Sequence, residues 1–195
     1  MFNEIYGLQK AVYEKIKTHT RREPFFSDVE IETHFDIETG KFFVIEKDTR
    51  KLIHTSRYAL DEIVAIAQSY SSIFDEAYDD YFNDKYYYFR NVNLTETKGW
   101  KNKMFVKAEY MPRHIRITNI RCERLQEISD DDCLKEGIIE DLKGVQYSFS
   151  APLFCGNYPF DNPRGAFSVL INKLNGKGFW QSNPYVIVYE FELID

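Results

Sequence analysis

Little in this sequence can cross-link the chain or hold a metal. It has 3 cysteines, Cys122, Cys133 and Cys155, an odd number without CxxC spacing. That excludes a disulfide framework of the secreted type, and the thiols read as reduced ones in a cytoplasmic protein. The 4 histidines, His19, His34, His54 and His114, form no HxxxH or other ligand spacing. Neither a metal nor a cofactor is therefore expected. No apolar run reaches the length of a membrane span, and Met1-Phe2-Asn3-Glu4 does not open a leader peptide; no membrane partner is expected. Base is in deficit too: 25 Lys and Arg against 31 Asp and Glu leave a formal charge of −6. That excludes a general coater of polyanions, which needs positive charge.

What is abundant is aromatic. The chain carries 14 Tyr, 16 Phe and 2 Trp, 16% of its residues, which excludes a solvated, disordered chain. Its 195 residues fit one domain over 1–195 with an elaboration. A chain of this size buries roughly 70% of the surface its unfolded form exposes.

Apolar periodicity predicts a helix over 3–16, from Ile5, Leu8, Val12 and Ile16, with Asn3 as its cap. Pro24 prevents the helix from continuing past the basic stretch at 17–22. Short alternating runs follow from Val29 to Tyr58, with a Gly-containing hairpin turn at Glu38-Thr39-Gly40-Lys41. Glu62 to Ser69 reads as a buried strand. The stretch 70–104 differs: Asp75, Glu76, Asp79, Asp80 and Asp84 sit among many tyrosines, and it reads as an insertion over a core. His114 to Leu125 alternates again. Ser129 caps a short helix through Asp130, Asp131 and Asp132, stopped by Gly137. After a long loop, Asn162-Pro163 opens another helix, and Tyr185 to Leu193 is a strong final strand. Strands outnumber helices without alternating regularly with them, so the class is α+β with a mostly antiparallel, barrelled sheet.

Three stretches offer chemistry. Lys17-Thr18-His19-Thr20-Arg21-Arg22 concentrates base in an acidic chain. It reads either as a phosphate or nucleotide edge, with Arg21 or Arg22 as a bidentate donor, or as a solvated helix end. Met111-Pro112-Arg113-His114, running on to Arg116, Arg121 and Arg124, reads either as a single-strand-binding edge or as the charged outer face of a strand. Glu136 lies in the last turn of its helix. There the helix dipole disfavours a carboxylate and raises its pKa, which suits proton transfer; otherwise it is a surface glutamate.

These residues carry a family resemblance. Lys17-Thr18-His19-Thr20-Arg21-Arg22 resembles the Lys-Thr-x-Thr-x-Arg segment near the start of ASCH domains, a branch of the PUA-like fold. Four later blocks follow in family order: 62–67, Met111-Pro112-Arg113 with Arg116-Ile117-Thr118, 123–138, and Gly176-Lys177-Gly178 through Tyr189-Glu190-Phe191. The match is to the larger, phage- and prophage-type members. In one respect the chain departs from the pattern. Where the family has Gly two residues before its Lys, this chain has Lys15, at a turn that favours a residue tolerant of positive φ.

The resemblance implies a small PUA-like mixed or antiparallel β-barrel with flanking helices that binds RNA, another nucleic-acid element or a modified nucleotide. Thr18, Arg21, Arg22 and Arg113 are the candidate ligand-binding residues. It also implies an alternative: an amidohydrolase acting on an N-acyl-modified nucleoside such as an N-acylcytidine, with Lys17, Thr20 and Glu136 as catalytic residues. A threonine hydroxyl needs a base, and burial beside Arg21 and Arg22 would lower the pKa of Lys17 toward that role. A further alternative is an accessory protein that contacts a protein partner through the Tyr-rich 70–104 stretch.

Overall fold

The structure is a computed structural model, and it describes residues 7–79, 94–141, 144, 146–149 and 160–195. It is mixed α+β, with antiparallel sheets, the largest curling as a half-barrel, and a few helices. The chain divides into two compact units. The larger comprises Asn3–Glu62 and Ile117–Glu192; the smaller comprises Met1–Phe2, Ile63–Arg116 and Leu193–Asp195.

In the larger unit the first helix, α1 (Leu8–Tyr13), buries Leu8, Ala11 and Val12. It is shorter than its apolar period predicts, and the expected Asn3 cap lies outside the described residues. At its C-terminal end Lys15 takes φ 58°. The amides of Ile16 and Lys17 both donate to the Ala11 carbonyl at 2.9 Å. The left-handed residue closes the helix and turns the chain into β1 (His19–Phe25).

The basic stretch is thus a strand rather than a helix end. Tertiary pairing overrides local preference: β1 lies antiparallel to β9 (Tyr185–Leu193), with His19 opposite Glu190 and Thr20 opposite Tyr189. The register shifts between Arg22 and Phe25. Glu23 there takes φ 55°, and Pro24, which has no amide to donate, sits in the irregularity.

The hairpin forms as its turn chemistry predicts. β2 (Ile31–Asp36) and β3 (Lys41–Glu46) pair from Asp36 opposite Lys41. The Asp36 carboxylate accepts from the Glu38 amide at 3.0 Å and the Thr39 hydroxyl at 2.6 Å. Gly40 supplies the positive φ, 66°. β4 (Leu52–Thr55) completes this sheet beside β3.

On its other side β9 neighbours β6 (His114–Arg124), where Ile117 and Ile120 are buried. α3 (Asp130–Lys135) begins as predicted, with the Ser129 hydroxyl accepting from the Asp132 amide at 3.1 Å. Gly137 follows it at φ 99°. A Cβ at Gly137 would lie 3.3 Å from Leu8 Cδ2 and 3.6 Å from Lys17 Cδ, so this glycine lets α3 approach the chain entering β1.

The expected long loop holds a hairpin instead, β7 (Ile138–Glu140) with β8 (Tyr147–Phe149). α4 (Pro163–Asn175), capped by Asn162, buries Ala166, Phe167, Leu170 and Ile171. α5 (Phe179–Ser182) leads into β9. Val12, Val44, Leu125, Ile128, Phe167, Ile187 and Tyr189 are essentially removed from water. Each such side chain contributes about 1.5–3 kcal/mol.

The smaller unit holds β5 (Ile63–Ala65), paired with His114, Ile115 and Arg116. The strand is shorter and wetter than the apolar run predicts: Ile63 is 56% exposed and pairing ends at Ala65. One further bond, from the Ile66 amide to the Arg113 carbonyl, closes the ladder. Tyr70 and Ile73 of α2 (Tyr70–Asp79) pack with Leu94 and Met111. A Cβ at Gly99 would lie 2.4 Å from the Tyr70 ring, which explains a glycine at that contact. Within the Tyr-rich stretch expected to be an insertion, 80–93 lie outside the described residues. No helix among the described residues is long and apolar enough to cross a membrane.

Candidate functional site

The two faces of β1 carry different chemistry, as a strand's alternation requires. His19 and Arg21 point to one side, toward α3 and β6. Thr20 and Arg22 point to the other, the side of Tyr189.

On the first side lies a buried ionic network. The ammonium of Lys17, only 2% exposed, donates to the His19 carbonyl at 2.7 Å, the Glu136 carbonyl at 2.8 Å and Glu136 Oε2 at 2.5 Å. Arg21 Nη1 donates to the other oxygen, Glu136 Oε1, at 3.0 Å. Glu136 therefore bridges a lysine and an arginine, one oxygen to each. The guanidinium of Arg21 also reaches Glu123 at 2.6 Å and Asp132 at 3.0 Å. Asp132 Oδ2 accepts from Arg121 at 2.5 Å, and Arg121 bonds Glu190 in turn. Three cations thus interleave with four carboxylates, and little of the charge on Arg21, Lys17 or Glu136 meets water.

The environment shifts these groups in understandable directions. Burial lowers Lys17 from its ordinary 10.5; Glu136 beside it acts in the opposite sense, and Arg22 and Arg21 add to the lowering. Burial alone would raise Glu136, but Lys17 and Arg21 outweigh it and hold the carboxyl below its ordinary 4.5. The helix-end argument predicted the reverse. Glu136 does cap the C-terminus of α3, yet two direct cations dominate a partial charge. Burial likewise lowers His19 from 6.5, although Glu190 and Asp132 face it. It also lowers Arg22, despite the opposing charges of Glu136 and Glu23.

On the second side, Arg22 Nε donates to the Thr20 hydroxyl oxygen at 3.1 Å. The left-handed Glu23 turns its carboxylate onto the Tyr189 hydroxyl at 2.6 Å, His54 Nε2 at 2.9 Å and the Arg57 amide at 3.1 Å. Burial and Glu23 push the Tyr189 hydroxyl upward, so it stays a neutral donor. Phe25 stacks on His54 and on Tyr185, with ring centroids 5.1 Å and 5.5 Å apart. The Arg124 guanidinium lies 3.7 Å over Tyr185.

Of the residues singled out from sequence, Lys17, Arg21 and Glu136 meet. Thr20 and Arg22 form a second pair on the opposite face of the strand. Thr18, just before β1, places its hydroxyl 3.0 Å from His19 Nδ1. Arg113 belongs to the smaller unit, where its guanidinium is 3.5 Å from Glu76.

Sequence reasoning missed His19, Glu123, Asp132 and Glu190 as members of the network, and Glu23, His54 and Tyr189 as the second cluster. Period-two spacing was the available signal. His19 and Arg21 share parity, as do Arg121 and Glu123 on β6. Among the described residues no group of three or more His, Cys, Asp or Glu side chains is arranged to hold a metal ion.

No family model, curated protein or solved structure matches this chain.

Proposed function

We propose that this chain is an ASCH-type, PUA-like domain that recognises a nucleic-acid element or a modified nucleotide around Lys17, Thr20, Arg22 and Glu136. The observation that carries the reading is the Lys17–Glu136–Arg21 cluster at the start of β1. Charges this deeply buried cost stability that apolar side chains of similar volume would not cost, and strongly perturbed groups gather at functional sites. Two further features support it. Lys15 is left-handed where the resembled family carries glycine. The Thr20–Arg22 pair shares β1 with Phe25, whose ring stacks on His54 and Tyr185, and aromatic platforms accept bases. The fold expected with this reading is a closed PUA-like barrel.

Electrophoretic mobility shift of single-stranded RNA and DNA over a salt series tests it. Binding that falls steeply with salt, and that Arg22→Ala weakens at every salt concentration, is the expected result. Absence of binding at low salt in wild type and variant alike contradicts it.

A second reading is an N-acyl-nucleoside amidohydrolase using Lys17, Thr20 and Glu136. The Lys17–Glu136 hydrogen bond supports its proton transfer, whereas Thr20 lies on the other face of β1, so this reading needs the strand to turn there. Release of cytidine from an N-acylcytidine, lost in Lys17→Ala, is its test.

A further inference from the structure

Neither reading uses His19, and Thr18 enters only as a candidate ligand-binding residue. Their geometry is nonetheless specific. The Thr18 hydroxyl is 3.0 Å from His19 Nδ1. At the far edge of the same ring, Nε2 faces Glu190 Oε1 at 3.4 Å and Asp132 Oδ1 at 3.9 Å. The cross-strand pairing of His19 with Glu190 fixes that approach.

The protonation pattern follows from the partners. Ionised carboxylates only accept, so Nε2 carries the ring proton. Nδ1 is then the bare nitrogen, and the hydrogen between it and Thr18 belongs to the hydroxyl. Glu190 and Asp132 are themselves held, Glu190 by Asn119 at 3.1 Å and by Arg121, and Asp132 by Arg21 and Arg121. The imidazole is thus oriented from behind by anchored carboxylates. It is 6% exposed, whereas Thr18 is only half-buried.

We infer that Thr18 is a base-coupled nucleophile: His19 is its general base, Glu190 the positioning residue that sets the tautomer, and carboxylic esters or activated amides the substrate class. A hydroxyl, a base within hydrogen-bond reach and a third group orienting the base are what acyl transfer requires. This stands apart from nucleotide recognition, and it assigns the reactive hydroxyl to Thr18 rather than Thr20, whose oxygen accepts from Arg22.

In the step itself, Thr18 Oγ1 forms a bond to the acyl carbon while its proton passes to His19 Nδ1. The carbonyl pair moves onto oxygen. As that intermediate collapses, the bond to the leaving group breaks and the leaving group takes the proton from Nδ1. Water then attacks the acyl-Thr18 ester, giving its proton to Nδ1, and the carboxylic acid leaves as Thr18 recovers its hydrogen.

The test uses the full chain with p-nitrophenyl acetate at neutral pH. Nitrophenolate release is followed by absorbance, and the acetyl group is located by peptide mass spectrometry. The expected result is an acetyl group on Thr18, with acylation kept in Thr18→Ser and lost in Thr18→Ala. His19→Asn slows it about a hundredfold, the usual scale of general-base assistance. Glu190→Gln slows it too, because an amide can donate to Nε2 and move the ring proton to Nδ1. Thr33→Ala, on the exposed β2 strand, is the control. Acetyl found only on lysines or on Thr20, or Thr18→Ala acylating at the wild-type rate, overturns the assignment. The adduct site in the unmutated protein decides the matter even if a variant fails to fold.

Discussion

Lys17 Nζ lies 2.5 Å from Glu136 Oε2, with 2% and 7% of the two side chains exposed, and the residues are 119 positions apart in the chain. The other oxygen of Glu136 serves Arg21. An amide cannot serve both cations, since it has one acceptor oxygen and its nitrogen repels the second donor. Glu136→Gln is therefore expected to destabilise the protein by about 3–5 kcal/mol, the cost of leaving buried charge without its partner. Urea denaturation measures it. Lys17→Met combined with Glu136→Leu should cost less than the two single changes added together. Glu136→Gln also removes the carboxylate that opposes the lowering of Lys17. The ¹³Cε titration midpoint of Lys17 is expected to fall further in Glu136→Gln.

Acid should weaken the fold through two of these carboxylates. Burial opposes ionisation of both, but Lys17 and Arg21 hold Glu136 below 4.5, and Arg121 and Arg21 hold Asp132 below 3.8. Folded values below the unfolded ones mean that this stabilisation is complete above 4.5 and 3.8 and is lost as pH falls through the folded values. Urea midpoints should drop as pH is taken below about 4. The drop should be shallower in Glu136→Gln, which has lost one of the two groups.

Lys15 carries backbone strain at the entrance to the site. At φ 58° a side chain costs roughly 1–2 kcal/mol that glycine does not. Glycine gives part of this back through the freer unfolded chain. Lys15→Gly should raise stability by up to about 1 kcal/mol, whereas Lys15→Val should lower it. Thermal melting at one pH distinguishes them. The same logic makes Gly137→Ala destabilising, since φ there is 99° and the new methyl meets Leu8 at 3.3 Å.

Two cysteines should be silent. Burial, with nearby carboxylates, pushes Cys122 up to about 12; burial also takes Cys133 up to about 12, against the pull of Arg21. Thiolate is the reactive form. Iodoacetamide at neutral pH should leave both unmodified in the native protein and alkylate both in urea, as read by peptide mass spectrometry.

Local signals gave several elements correctly. The Asp36–Gly40 turn, the Ser129 cap, the Asn162-Pro163 helix start and the final strand from Tyr185 each rest on a few neighbouring residues, so they were legible. The stretch from Lys17 to Arg22 was not, because what makes it a strand is β9, more than 160 residues further along the sequence. Lys17, Arg21 and Glu136 were singled out, but their meeting required α3 to pack beside β1 around Gly137. The sign of the Glu136 shift went the other way for the same reason: the helix end was visible in the sequence, while the two cations aimed at the carboxylate were not. The family resemblance grouped Arg113 with Arg21 and Arg22 as ligand-binding residues, whereas Arg113 belongs to the other compact unit.

The central claim is that a nucleic-acid ligand is recognised at the Lys17 end of β1. The most direct measurement is a titration of ¹³C-lysine-labelled protein with a short single-stranded RNA at low salt, followed at each Lys Cε. The account predicts that the Lys17 resonance moves in step with saturation and that Arg22→Ala weakens the response. RNA that binds while Lys17 stays unmoved, or that does not bind at all, would contradict it.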